Sequence, residues 1–467
     1  MDANIKHILL WQATAIVAVA ALMAVFPGEN YMPQLLRMTG AGAVAALCYR
    51  LSGNTDKAGY YTLTAFWTLL AAGVTLNIWY FTTYSGGTPD APVLLNDDAS
   101  ISWAQMTAFL EDSNSGVVSH RRGYGTFLAL ISCGQRLTIG SLLCINMLAV
   151  LLAIVLTGAA AARMARTDDV TLRARTATLA MIFTGGVCYF LASGAILIKD
   201  AICQLIMAVV LFTFYGRSLK MTVGLVLAAI VAVLVRPNML PFMALAALLS
   251  MPLLPRKGMG AAIVFAIALC ASFFWQAHQE AVVLPLDPAD GNTMFFLDKD
   301  ANERLNAYSQ VTGYYEATGV LHKIMLLPFS LCVQFLTPLP WAFGRDIVFG
   351  PSLAWSHFSL PWYALGSLLL FFFTKLRKAP RAVTLAFVFG VCAWCVSAFM
   401  TGGTVSRYCL PWLPFLTPAA AWLVTSGQLR TKAFSRWAIV YGVVLVAGLC
   451  AVFICLNIYS PGGWEAR

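Results

Sequence analysis

The sequence predicts an all-α polytopic membrane protein of about thirteen transmembrane helices. Two outer-face loops carry short helices, and one further segment is re-entrant or interfacial. Three observations carry this reading. Hydrophobic residues make up 60% of the 467 positions and charged residues only 11%, with mean hydropathy +0.76. A soluble domain of this length carries roughly a quarter charged residues, so most of the apolar surface must face lipid. The apolar residues fall in runs of about 20 separated by basic or turn-rich breaks, the length a helix needs to cross a bilayer. Finally, the basic clusters recur at alternate breaks, as the positive-inside rule requires.

Taken in order, the spans are 8–26, 33–51, 60–82, 137–162, 176–197, 200–216, 220–236, 238–254, 259–276, 359–375, 381–400, 408–425 and 436–457. The first lacks a small-residue cleavage site and reads as a retained span, not a signal peptide. An odd number of spans places the termini on opposite sides. With a cytoplasmic N-terminus, the cytoplasmic breaks hold Lys57; Arg163, Arg166, Arg173 and Arg175; Arg217 and Lys220; Arg256 and Lys257; Lys375, Arg377, Lys378 and Arg381; and Arg430, Lys432 and Arg436. The net charge of +10 is therefore a topology signal, and no nucleic-acid partner is expected. Residues 324–344 could span, but counting them would reverse the last four helices and expose "KLRKAPR" outside. Three prolines also disfavour a plain span, so the segment is read as re-entrant or interfacial.

No repeat, low-complexity tract or soluble domain interrupts residues 1–467, which form one integral-membrane domain. The twelve cysteines lie mostly in apolar runs and read as small buried hydrophobes, Cys392 and Cys395 included.

Two polar segments, 83–123 and 277–322, fall on the outer side. In the first, "NDDASISWAQ" puts Asp97 and Asp98 at the start of a helical pattern over Ala99–Leu110. One aspartate is explained as an N-cap; the second is surplus. Repulsion and partial dehydration disfavour two adjacent negative charges, a setting suited to general-base work or to a metal. Further along, "HRRGYG" supplies His120, Arg121, Arg122 and Tyr124. The arginines either snorkel to headgroups or clamp a phosphate bidentately. Three more charged spots sit at outer helix ends: Lys199 and Asp200 in "ILIKDA", Arg236 in "LVRPNML", and Arg407 with Tyr408 in "SRYCLPW". Each alone reads as an anchor, but four basic places beside an acid pair point to a functional face. The 277–322 loop suits a lid over a polar acceptor, and its "DPADGN" lacks the downstream glutamate of a calcium loop.

This order of features resembles the GT-C superfamily of integral-membrane glycosyltransferases, such as protein mannosyltransferases and lipid A aminoarabinose transferases. The resemblance rests on the acid pair, "GYGTFLALI" before a long span, "RPNMLPF", and the late "SRYCLPWLPFLTPAAAWL". Three departures stand out. Asp98 replaces the commoner glutamate, "RRGYG" replaces a proline-rich stretch, and three spans precede the acid motif where the family has one. What the resemblance implies is transfer of a sugar from a polyprenyl-phosphate donor to a hydroxyl of a cell-envelope glycan, lipid (lipopolysaccharide included) or protein. The site would lie on the outer face of a bacterial inner membrane. Asp97 or Asp98 would be the general base, and Arg121, Arg122, Lys199, Arg236 and Arg407 would hold the donor phosphate. His120, Tyr124, Asp200 and Tyr408 are further site candidates. Such a site could take Mg²⁺ or Mn²⁺ between the acid pair and the phosphate, without requiring it. An O-antigen polymerase or ligase would use similar arginines but lean less on the acid pair. A lipid-linked sugar flippase would place charge at the midplane and show inverted repeats, neither of which the sequence displays.

Overall fold

A computed structural model describes residues 3–25, 31–54, 56–84, 106, 110, 122–132, 138–217, 222–283, 320–336, 359–401 and 406–459. Among them every regular element is helical and no strand occurs. The α-helices are α1 (Ala3–Val25), α2 (Tyr31–Leu51), α3 (Lys57–Tyr84), α4 (Arg122–Ile131), α5 (Ile139–Met164), α6 (Val170–Gly185), α7 (Cys188–Ala192) and α8 (Asp200–Val210). They continue as α9 (Thr222–Val235), α10 (Leu240–Ser250), α11 (Arg256–Val283), α12 (Val320–Leu336), α13 (Leu360–Phe372), α14 (Arg381–Thr401), α15 (Leu413–Thr425) and α16 (Lys432–Tyr459).

Each of the thirteen sequence segments coincides with a helical element. Among the described residues, however, only six helices are individually long and apolar enough to cross a membrane: α1, α3, α5, α11, α14 and α16. Helix α2 is 21 residues long but less apolar, and most of the others are shorter because their apolar runs are interrupted. Segment 200–216 is α8 followed by a π turn, Leu211–Tyr215. Segment 238–254 is α10 flanked by 3-10 turns that begin at Pro237 and end at Leu253. Segment 176–197, expected as one span, bends by 77° between α6 and the stretch Cys188–Ala195. "TGGV" supplies the cause. Gly185 and Gly186 are poor helix formers, and Gly186 ends α6 by donating its N–H to Ile182 O. Residues 324–336 of the 324–344 region belong to α12, which has Pro328 inside it and packs against α13, α14 and α16; 337–344 lie outside the described residues.

Helix α5 is the hub. It packs on α2, α3, α6, α8 and α15, and small residues let these neighbours approach. A Cβ on Gly158 would lie 2.6 Å from Met181 Cγ and 2.9 Å from Ala177 O, the small-residue packing familiar between membrane helices.

The two ends of the bundle differ. At one end the basic turns gather. Thr178 Oγ1 donates to Asp56 Oδ2 at 2.8 Å, Thr176 bonds Thr425, Arg163 lies over the Phe212 ring, and Phe372 packs on Trp422. These contacts join the turns holding Lys57, Arg163 to Arg175, Arg217, Lys375 to Arg381, and Arg430 to Arg436. The other end holds the break before α8. Along α5, Asn146 at that break and Arg163 at the basic end are 17 residues apart, about 25 Å at the helical rise. That is close to a bilayer's hydrocarbon thickness of about 30 Å.

Candidate functional site

After the bend at Gly186 the chain makes α7, a 3-10 turn at Ser193–Ala195, and an extended residue at Ile196 before α8 begins. This leaves carbonyls inside the bundle without helical partners, a costly state away from water. Two asparagines on neighbouring helices meet them. Asn77 Nδ2 of α3 donates to Ala195 O at 2.6 Å. Asn146 Nδ2 of α5 donates to Ile196 O at 2.6 Å and to Ile198 O at 3.0 Å. Tyr124 of α4, fully inside the bundle, donates its hydroxyl to Asn146 Oδ1 at 2.9 Å. The break, α3, α4 and α5 are thereby fixed to one another.

Asp200 is the first residue of α8, where a carboxylate favours the helix dipole. It is buried, and Arg236 Nη1 donates to its Oδ1 at 3.3 Å. Arg236 closes α9 just before Pro237, which stops that helix, and its guanidinium is partly exposed. Half-buried Lys199 precedes Asp200. One turn into α8 lies the buried Cys203. Lys199, Asp200 and Arg236 thus come together where α8 begins and α9 ends. Lower still, Gln204 Oε1 accepts from Ser193 Oγ at 3.1 Å, while its buried Nε2 meets no hydrogen-bond partner among the described residues.

A further 3-10 turn, Ser406–Trp412, packs against α8 and α14. Trp412 Nε1 pins it by donating to Ser397 Oγ at 2.7 Å, and its ring packs on Phe242 of α10. Helix α4 packs on α9.

The elements carrying Arg122, Lys199, Asp200, Arg236, Arg407, Tyr408 and Tyr124 therefore converge. Of these, Lys199, Asp200, Arg236 and Tyr124 have described side chains; those of Arg122, Arg407 and Tyr408 lie outside the described residues, as do Asp97, Asp98, His120 and Arg121 entirely. No group of three or more His, Cys, Asp or Glu side chains gathers among the described residues. Asn77, Asn146, Ser193, Cys203 and Gln204 were not singled out from the sequence. The available signal was a polar residue inside an apolar run, as in "CINML" and "ICQLI", where burial demands a partner.

No family model matches the chain, and no curated protein or solved structure matches it either. The likeness to GT-C enzymes rests on the sequence motifs alone.

Proposed function

We propose that this chain is a membrane glycosyltransferase. It takes a sugar from a polyprenyl-phosphate donor and passes it to an acceptor hydroxyl of a cell-envelope glycan, lipid or protein, at the outer face of a bacterial inner membrane with the N-terminus inside. One observation carries the reading: four elements bearing basic residues of the motif set meet at the bundle end opposite the basic turns, around the Asp200–Arg236 ion pair. Guanidinium and ammonium groups gathered at one bundle end suit a phosphate ligand. In this reading Asp200 is a positioning residue that fixes the Arg236 fork. Arg236 and Lys199, with Arg121, Arg122 and Arg407, stabilise the charge arriving on the phosphate. Asp97 or Asp98 takes the acceptor proton. The acceptor oxygen bonds to the anomeric carbon as the carbon–phosphate-oxygen bond breaks, its electron pair leaving with the phosphate, so the centre inverts.

The test is transfer by purified protein given polyprenyl-phosphate sugars, wild type beside Asp97→Asn and Asp98→Asn. At least one variant should lose about 10²–10⁴ in rate, the range of general-base catalysis. Full turnover in both would remove the base. A cysteine-accessibility map placing residue 97 on the cytoplasmic side would overturn the scheme.

A further inference from the structure

The opposite end of the bundle holds a second charged cluster that the transfer reading does not use. Helix α5 ends at Met164, and two residues on Arg166 adopts φ 48. The π turn that extends α8 ends at Tyr215, and two residues on Arg217 adopts φ 56. Left-handed backbone at a non-glycine residue is uncommon and costly, and persists only where the surrounding structure imposes it. Arg166 bears electrostatically on Arg217. Arg163, one turn earlier on α5, has its guanidinium 4.5 Å from the Phe212 ring centre, and Phe212 belongs to the same π turn. Three exposed arginines thus belong to two helix ends that pack on each other.

The carboxylates nearest in sequence are Asp168 and Asp169, and among the described residues neither forms an ion pair with these arginines. Asp169 is occupied in capping α6, accepting from the N–H groups of Thr171 and Leu172. Among the described residues no carboxylate makes an ion pair with Arg163, Arg166 or Arg217. Membrane sidedness asks only for positive charge on this face. A helix dipole asks for one cation at each C-terminus. Neither asks for two arginines in left-handed backbone within each other's field, nor for a third laid on an aromatic ring beside them. Guanidinium groups held at a membrane-facing helix junction match phosphate oxygens. Exposed apolar residues flank the spot, Val170 at the start of α6 and Val223 at the start of α9, where acyl chains would run.

We propose that Arg163, Arg166 and Arg217 form a site for the phosphate of an anionic lipid headgroup, at the bundle end remote from Asp200. The inference does not rest on the transferase reading. It is tested with the full chain in nanodiscs of neutral phosphatidylcholine, with or without phosphatidylglycerol, and in neutral discs with inorganic phosphate added. Thermal unfolding is followed for wild type, for Arg166→Gly with Arg217→Gly, and for the same pair with Arg163→Lys. Phosphatidylglycerol should raise the wild-type Tm by several degrees. The glycine variants, whose backbone is relieved at the left-handed positions, should match or exceed the wild type in neutral discs and lose most of that rise. Native mass spectrometry should show fewer retained phosphatidylglycerol molecules on the variants. An equal rise and equal lipid retention in wild type and variants would overturn the site. The same rise from inorganic phosphate in neutral discs would overturn its assignment to a lipid.

Discussion

Helices α5 and α16 are both long, uninterrupted and apolar, yet they occupy opposite environments. Of the six long apolar helices α5 is the most buried, whereas no residue in the apolar window of α16 is buried. Hydropathy reports that a segment leaves water; it does not say whether protein or lipid receives it, because lipid tails are as apolar as leucine. The difference lies in the polar and small residues. Helix α5 carries Ser141, Asn146, Thr157, Gly158 and a run of alanines, all buried. Helix α16 presents Ile439, Val440, Val443, Val444 and Val446, all well exposed. Burial within the bundle selects side chains that let backbones approach or that satisfy stray backbone groups.

The strongest way to break this comparison is to make α5 more like α16. Asn146→Leu would leave the Tyr124 hydroxyl and the carbonyls of Ile196 and Ile198 without their partner. Interhelical hydrogen bonds in membrane proteins average about 0.6 kcal/mol and reach about 1.7. Three lost together, with buried orphans left behind, should cost about 2–4 kcal/mol. The expected result is a large fall in Tm in detergent. A variant that unfolds with the wild type would show that Asn146 does not hold the break before α8.

A matched glycine pair sharpens the contrast. In α5, Gly158→Ala would put a Cβ against Met181 and, less forgivingly, against the Ala177 carbonyl. Overpacking of this kind costs about 1–3 kcal/mol, more than the gain of up to about 1 kcal/mol from replacing a helical glycine. In α16, nothing lies within 4 Å of a Cβ on Gly442, so Gly442→Ala should keep that gain. The same substitution should therefore shift Tm down in one helix and up in the other. Shifts of the same sign would mean the two helices have similar surroundings after all.

Much of the helical framework was legible in the sequence, and the reason is physical. Helices are local and their apolar runs are long, so all thirteen segments fall on helical elements. What hydropathy averaged away were the interruptions. The window over 176–197 hides the bend at Gly186, because two glycines and a valine barely change its mean. Lys199, Asp200, Arg236 and Arg407 were expected at helix ends on one face, and the elements that carry them pack together. The pairing within that face did not follow from sidedness. That Arg236 meets Asp200, 36 residues away, depends on α8 and α9 lying side by side. Asn146 escaped notice because one polar residue in "CINML" looks tolerable until a broken backbone is found beside it.

The smallest effect probes what covers α16. Val443 is 65% exposed in the isolated chain. If lipid covers it, Val443→Ala removes two methyl groups that have equally apolar surroundings in the folded and the unfolded, membrane-inserted states. No transfer energy is then lost, and the better helix propensity of alanine offsets the lost van der Waals contact. Stability should stay within about 0.5 kcal/mol of wild type, read as an unchanged Tm in nanodiscs. If another protein surface packs on this face, the truncation opens a gap in a close-packed interface. The cost then climbs to about 1 kcal/mol or more and depends on protein concentration. A concentration-dependent loss would place α16 at a subunit boundary and so remove the contrast with α5.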